Sequence, residues 1–184
     1  MGNLVVSLSP CIRQAFCDGF VLQGLAALTN GILRDDRVFH MTDANFLSKY
    51  NDQGMSLIRL RVLYNTLIAS VVIMEATQRK AWTEAGPDVI IAEAQERLRQ
   101  NGWEDVRPAL STSIRGLIMR AFMENGLRGN PDSAVHFYGK ALRVLDWGRE
   151  AWKNVPKDDC GVIFQPTFIR GVRSLRINVL MEVS

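Results

Sequence analysis

NPDSAVHFYGKAL, residues 130–142, is the stretch from which the rest of the chain is best read. Asn130 is a helix cap, because its short side-chain oxygen reaches an N–H that the first turn leaves without a partner. Pro131 suits the first helical position, where its preset φ fits and its missing N–H costs nothing. Asp132 then lies near the positive end of the helix dipole. Beyond it Ala134, Tyr138, Ala141, Leu145 and Trp152 recur at helical spacing down one side. Small residues around one large ring let a second helix approach closely, so the stretch predicts one half of a helix pair.

The other half is expected just upstream, in WEDVRPALSTSIRGLIMRAFMENGLRG, residues 103–129. A helix is predicted from near Pro108, with Ile114, Leu117, Ile118, Ala121 and Phe122 on one face and Gly126 and Gly129 at its end. Downstream, Pro156 stops the second helix, PKDDCG (156–161) reads as a solvated loop, and Pro166 starts a final helix. That helix carries Phe168, Ile169, Val172, Leu175, Val179 and Leu180. Its apolar stripe persists nearly to Ser184, so either tight docking or a continuation of the helical array is expected, with self-association through this helix as a consequence.

Helical signals also fill the N-terminal part. The strongest long helix is predicted over 55–85, apolar over most of its circumference and closed by Gly86-Pro87. Pro87 and Asp88 open the next helix, which Gly102 ends. Weaker patterns cover 10–33 and 42–50, and no stretch shows sustained period-two alternation between hairpin turns. The expected fold is all-α: one domain over 1–184, built from stacked antiparallel helix hairpins, about six helices in all.

Within 108–152, the succession Ala134, Tyr138, Ala141 resembles the second helix of a tetratricopeptide repeat (TPR), an alanine followed by an aromatic four later and an alanine three after that. Ile114, Leu117, Ile118 and Ala121 fall at the spacing of the large, leucine, small and aromatic positions of that family's first helix. Ile118 and Ala121 depart from the residue types the family uses there, the turn is about four residues longer, and Pro156 falls late. The resemblance implies a TPR-like α-solenoid fragment whose first helices line a groove for a partner peptide. On this chain it implies Arg115, Met119 and Met123 as groove residues, turned away from the packing face.

Composition narrows the function classes. Apolar residues make up 47% of the 184 and the net charge is only +3, so a sizeable core is possible while a strong nucleic-acid field is not expected. The longest uncharged apolar run, 62–74, is too short to span a bilayer. The start lacks a basic n-region, and Val6 stands where a myristoylation motif wants Ser or Thr. Cys11, Cys17 and Cys160 have no framework spacing and read as free thiols in a cytoplasmic setting. His40 and His136 have no metal-ligand spacing, and no phosphate-binding, nucleophile-elbow or zinc-protease motif occurs, so neither cofactor nor metal is expected.

Glu93 and Glu96 lie close to Arg97 and Arg99 and read as a salt-bridged wet face, while Arg170, Arg173 and Arg176 read as the wet side of the last helix. The function expected is a non-catalytic scaffold for a protein or peptide partner. The alternative is a helical-bundle enzyme or small-ligand carrier, with a pocket beside the 55–85 helix near Tyr64, Asn65 and Thr66.

Overall fold

The structure, a computed structural model, describes residues 24–34, 72–126 and 128–183. The chain divides into two compact units, Met1–Val71 and Val72–Ser184. In the first, helix α1 (Gly24–Arg34) buries Leu25, Leu28, Thr29 and Ile32, the single stripe that steps of three and four produce. The Thr29 hydroxyl donates back to the Leu25 carbonyl at 2.8 Å, which lets a polar side chain sit in that stripe. The first part of the helix expected over 10–33, the one over 42–50, and most of the one over 55–85 with Tyr64, Asn65 and Thr66 lie outside the described residues, as does His40.

The second unit begins with helical residues 72–79. It continues with α2 (Pro87–Asn101), α3 (Trp103–Gly126), α4 (Pro131–Ala151), a single turn α5 (Lys157–Cys160), a 3-10 turn Val162–Phe164, and α6 (Pro166–Val183). All regular structure among the described residues is helical, as the residue patterning predicts.

Each long helix runs antiparallel to the one before it. Gly102 alone joins α2 to α3, at φ 76°, a left-handed conformation that costs glycine little. Arg120 of α3 lies 4.4 Å over the ring of Phe137 early in α4. Arg173 of α6 bonds Asp146 late in α4 at 2.7 Å. Helix α4 packs on α2, α3 and α6, so the face quoted at the outset is the centre of the unit. Ala134, Tyr138, Ala141 and Leu145 are all buried there, with Tyr138 only 1% exposed. Asn130 caps as expected, its Oδ1 accepting from the Ser133 N–H at 3.2 Å.

Helix α4 ends at Ala151, short of Pro156, and three further boundaries differ from the sequence expectation through side chains of other elements. The helix expected to run to 85 stops at 79, where Lys80 takes φ 49°. Arg97 of α2 provides the stop: its guanidinium donates to the carbonyls of Lys80 at 2.8 Å and Arg79 at 3.2 Å, which would otherwise be unpaired at a helix end. The same guanidinium grips Asp105 through two bonds and lies 5.3 Å over the Trp82 ring.

Helix α3 starts at Trp103 and runs through Pro108, so the proline is not at its start. The proline forfeits one bond to a first-turn carbonyl. The Arg97–Asp105 pair and the acidic first turn of Glu104 and Asp105 anchor the helix upstream of that gap.

The expected loop 156–161 is instead a helical turn that buries Cys160. Arg107 of α3 holds it by donating to the Asp158 carbonyl. Behind it an edge-to-face aromatic cluster closes this end of the unit. Trp152 meets Trp103 at 4.9 Å, Trp147 at 4.6 Å and Phe164 at 5.2 Å between ring centroids. Phe164 lies so close to Gly148 that a Cβ there would overlap its ring.

Candidate functional site

Arg115 and Met119 are the first test of the expected groove, and they are interior. Arg115 is 4% exposed and Met119 1%, while Met123 is half-buried. This corrects the expectation that all three turn away from packing. The physical reason is that α3 is enclosed on every side: each residue from Thr112 to Met119 is buried. Residues 72–79 cross it, with Val72 within 3.7 Å of where a Cβ on Gly116 would stand. The N–H of Trp82 donates to the Ser113 hydroxyl at 2.8 Å.

Arg115 is accommodated by specific neighbours. Its guanidinium carbon lies 5.1 Å over the Phe168 ring at the start of α6, and its Nε donates to the Ser111 hydroxyl at 3.3 Å. Burial pushes its pKa down to about 10, and the charge of Glu75 works against that fall. It remains a cation at neutral pH, held inside the fold.

The groups that chemistry would need are dispersed. Among the described residues no three of His, Cys, Asp and Glu come together in a way that could hold a metal ion. His136 is exposed and packs edge-on to Phe137. Burial pushes the Cys160 thiol up, and the Asp159 charge adds to this, so the thiolate is disfavoured. Glu96 pairs with Arg99 at 2.6 Å on the surface, as expected, whereas Glu93 accepts from the Trp82 indole N–H at 2.6 Å and Arg97 turns to Asp105 instead. An open depression of about 320 Å³ lies beside residues 72–84, lined by Val72, Ala76, Lys80 and Glu84 among others. Glu84 at its rim is bonded to Arg120 at 3.2 Å.

The outward side of α6 is different. Arg170, Ser174, Ile177 and Met181 are all exposed and follow one another at steps of four, three and four, the spacing of a helix–helix seam. The opposite side of the helix buries Phe168, Ile169, Val172, Leu175 and Val179 against the unit. Ile177 is 53% exposed and Met181 73%, with Leu180 flanking them at 44%. The other exposed large apolar residues described, Ile73, Val89 and Val162, belong to three separate elements.

Arg173, beside the lane, is engaged with Asp146 of α4. Arg149 and Arg170 are both exposed, and neither has a carboxylate partner among the described residues. Along the α6 lane itself, Arg170 stands at one end and Ile177 and Met181 at the other.

The sequence singles out this helix for self-association but through the stripe that is buried here, Leu180 apart, while Arg170 reads as a solvated residue. The outward lane's one signal was the four-three-four spacing of exposed types. No helix among the described residues is long and apolar enough to cross a membrane. No protein-family model, curated protein or solved structure matches the chain.

Proposed function

We propose that this chain is a non-catalytic interaction module, a helical scaffold that binds another protein through the outward face of α6. The observation that carries this reading is the gathering of Ile177, Leu180 and Met181 on one exposed lane, on a helix whose inner face is already fully packed. Isolated surface apolar residues need no explanation, but three together on one helix turn mark a contact surface. The central packing of Ala134, Tyr138 and Ala141 is what a TPR-like helix pair would use to hold such a face rigid. The free, buried thiol of Cys160 suits a cytoplasmic setting.

The reading assigns the partner surface to α6 in place of Arg115, Met119 and Met123. It is tested by placing a photo-crosslinking residue at Met181 and, as a control, at exposed Asn101 of α2, in cells that express the chain. Discrete protein adducts from position 181 alone are expected. Equal adducts from both positions, or none from either, would remove the interaction surface.

A further inference from the structure

Asparagine followed by glycine is a chemically unstable pair, because no side chain shields the amide carbon from the next backbone nitrogen. The chain has three such pairs, Asn30-Gly31, Asn101-Gly102 and Asn125-Gly126. We propose that Asn125 is a self-modification site, at which loss of ammonia turns the amide that tethers Glu182 into a carboxylate that repels it. The proposal stands apart from the interaction-module reading and needs none of its residues.

The Gly126 nitrogen attacks Asn125 Cγ. A new N–C bond closes a succinimide ring, the bond from Cγ to the side-chain nitrogen breaks, and that nitrogen leaves as ammonia with the glycine's proton. Water then adds to one of the two ring carbonyls and opens the ring to aspartate or isoaspartate. The net change is amide and water to carboxylate and ammonium.

The attack requires the peptide between the two residues to turn out of its helical setting, and the three pairs differ in what holds that peptide. Asn30 lies within α1, where helix continues to Arg34. Gly102 is the only link between α2 and α3. Its N–H donates to the Leu98 carbonyl at 3.0 Å, its carbonyl accepts from the Val106 N–H at 3.3 Å, and the Asn101 amide donates to Asp105 at 3.0 Å. Turning there unseats both helices and the Arg97–Asp105 pair beside them. Gly126 is the exposed last residue of α3, and α4 does not begin until Pro131. Turning there opens only the closing bonds at the end of α3, among them those donated by the N–H groups of Arg128, Gly129 and Asn130. Helix ends open more readily than helix interiors.

The product acts on α6. The Asn125 Nδ2 donates to Glu182 Oε2 at 2.8 Å, in the last turn of that helix. Among the described residues Glu182 has no basic partner, and Arg128, the basic residue nearest Asn125 in sequence, is engaged with Glu124. A carboxylate at 125 removes the donor and sets two like charges against each other, which loosens the last turn of α6.

The test ages the full chain at mildly alkaline pH and follows every asparagine by peptide mass mapping that separates aspartate from isoaspartate. Conversion at Asn125 is expected to run about tenfold faster than at Asn101 or Asn30. Asn154, exposed but followed by Val155, is expected to stay intact. Gly126→Ala should keep the fold, since a Cβ there meets nothing within 4 Å and alanine favours a helix, while slowing conversion at Asn125 several-fold. Asn125→Asp is the ordinary product made directly. It is expected to quicken amide hydrogen exchange over the last turn of α6 several-fold. Adding Glu182→Gln should restore the parent rate, because the glutamine amide then donates to the new carboxylate.

Conversion at Asn101, Asn30 or Asn154 as fast as at Asn125, or indifference of Asn125 to Gly126→Ala, overturns the site. Exchange at the end of α6 that stays at the parent rate in Asn125→Asp, or that Glu182→Gln does not restore, overturns the repulsion at Glu182.

Discussion

Arg115 and Met119 on α3, and Arg170 and Met181 on α6, are the same pair of residue types in opposite surroundings. The first pair is enclosed, with Phe168 under the guanidinium and the methionine 1% exposed. The second stands outward, with the methionine 73% exposed. Both pairs lie on helices with apolar residues at steps of three and four. What separates them is the number of neighbours each helix has. Helix α3 is crossed by residues 72–79 and also packs on α2 and α4, so it has no wet side over its middle. Among the described residues, helix α6 packs chiefly on α4 and the turn before it, and keeps one. Residue type on a helix says little about exposure until the neighbours are counted.

The largest predicted effect tests the enclosed side. Tyr138→Ala empties the centre of α4 and is expected to cost about 3–5 kcal/mol, read by urea denaturation of the full chain followed through tryptophan fluorescence. A cost under about 1 kcal/mol would mean the face quoted from residues 130–142 is not the core of the unit.

The comparison itself is sharpened by a matched pair. Met119→Ala should cost about 2–4 kcal/mol, and Met181→Ala less than about 0.5 kcal/mol. Similar costs at both sites would erase the distinction between the two helices.

Next in size is Gly148→Ala. The added methyl overlaps the Phe164 ring, and about 1–3 kcal/mol of overpacking is expected. A substitution that leaves the midpoint unchanged would show that Phe164 moves freely and that the aromatic cluster does not clamp α4 to the turn before α6.

The smallest effect is electrostatic and depends on pH. Hydrogen bonds from Arg97, and then from Asn101, hold the Asp105 carboxyl well below its ordinary value of 3.8. A carboxyl depressed on folding adds stability that is present above its unfolded value and is lost as pH falls below about 4 toward the folded one. Asp105 is partly exposed, so solvent screening keeps the contribution to about 1 kcal/mol at pH 7. Asp105→Asn should therefore lower the melting temperature at pH 7 and flatten its fall between about pH 4 and pH 2. Parallel acid profiles for parent and variant would show that the pair does not sense pH.

The parts of the fold legible in the sequence were those set by local chemistry. Pro87, Gly102, Asn130, Pro131 and Pro166 mark helix ends in the structure because each acts on its own backbone or a neighbour within three residues. What could not be read was set from afar. The stop at residue 79 depends on Arg97, which nothing nearby in the chain announces. The turn that buries Cys160 is tied by Arg107 from another helix. Arg115 looked like a groove residue because its enclosure depends on residues 72–79 and on Phe168, neither adjacent to it in sequence. The α6 lane was hidden for the converse reason. Leucine and isoleucine at helical spacing signal burial, and only the packed structure shows which of two lanes is left over.

The four tryptophans of the chain, Trp82, Trp103, Trp147 and Trp152, all fall after residue 71. Indole emission therefore originates in the C-terminal unit. Three of the chromophores touch edge to face through Trp152, close enough for their excited states to couple, whereas Trp82 stands apart under a guanidinium. The molecule thus carries an optical beacon where the start of α3 meets the end of α4. A near-ultraviolet dichroic signal from that trio would fade when the two helices part, even while overall helix content stays high.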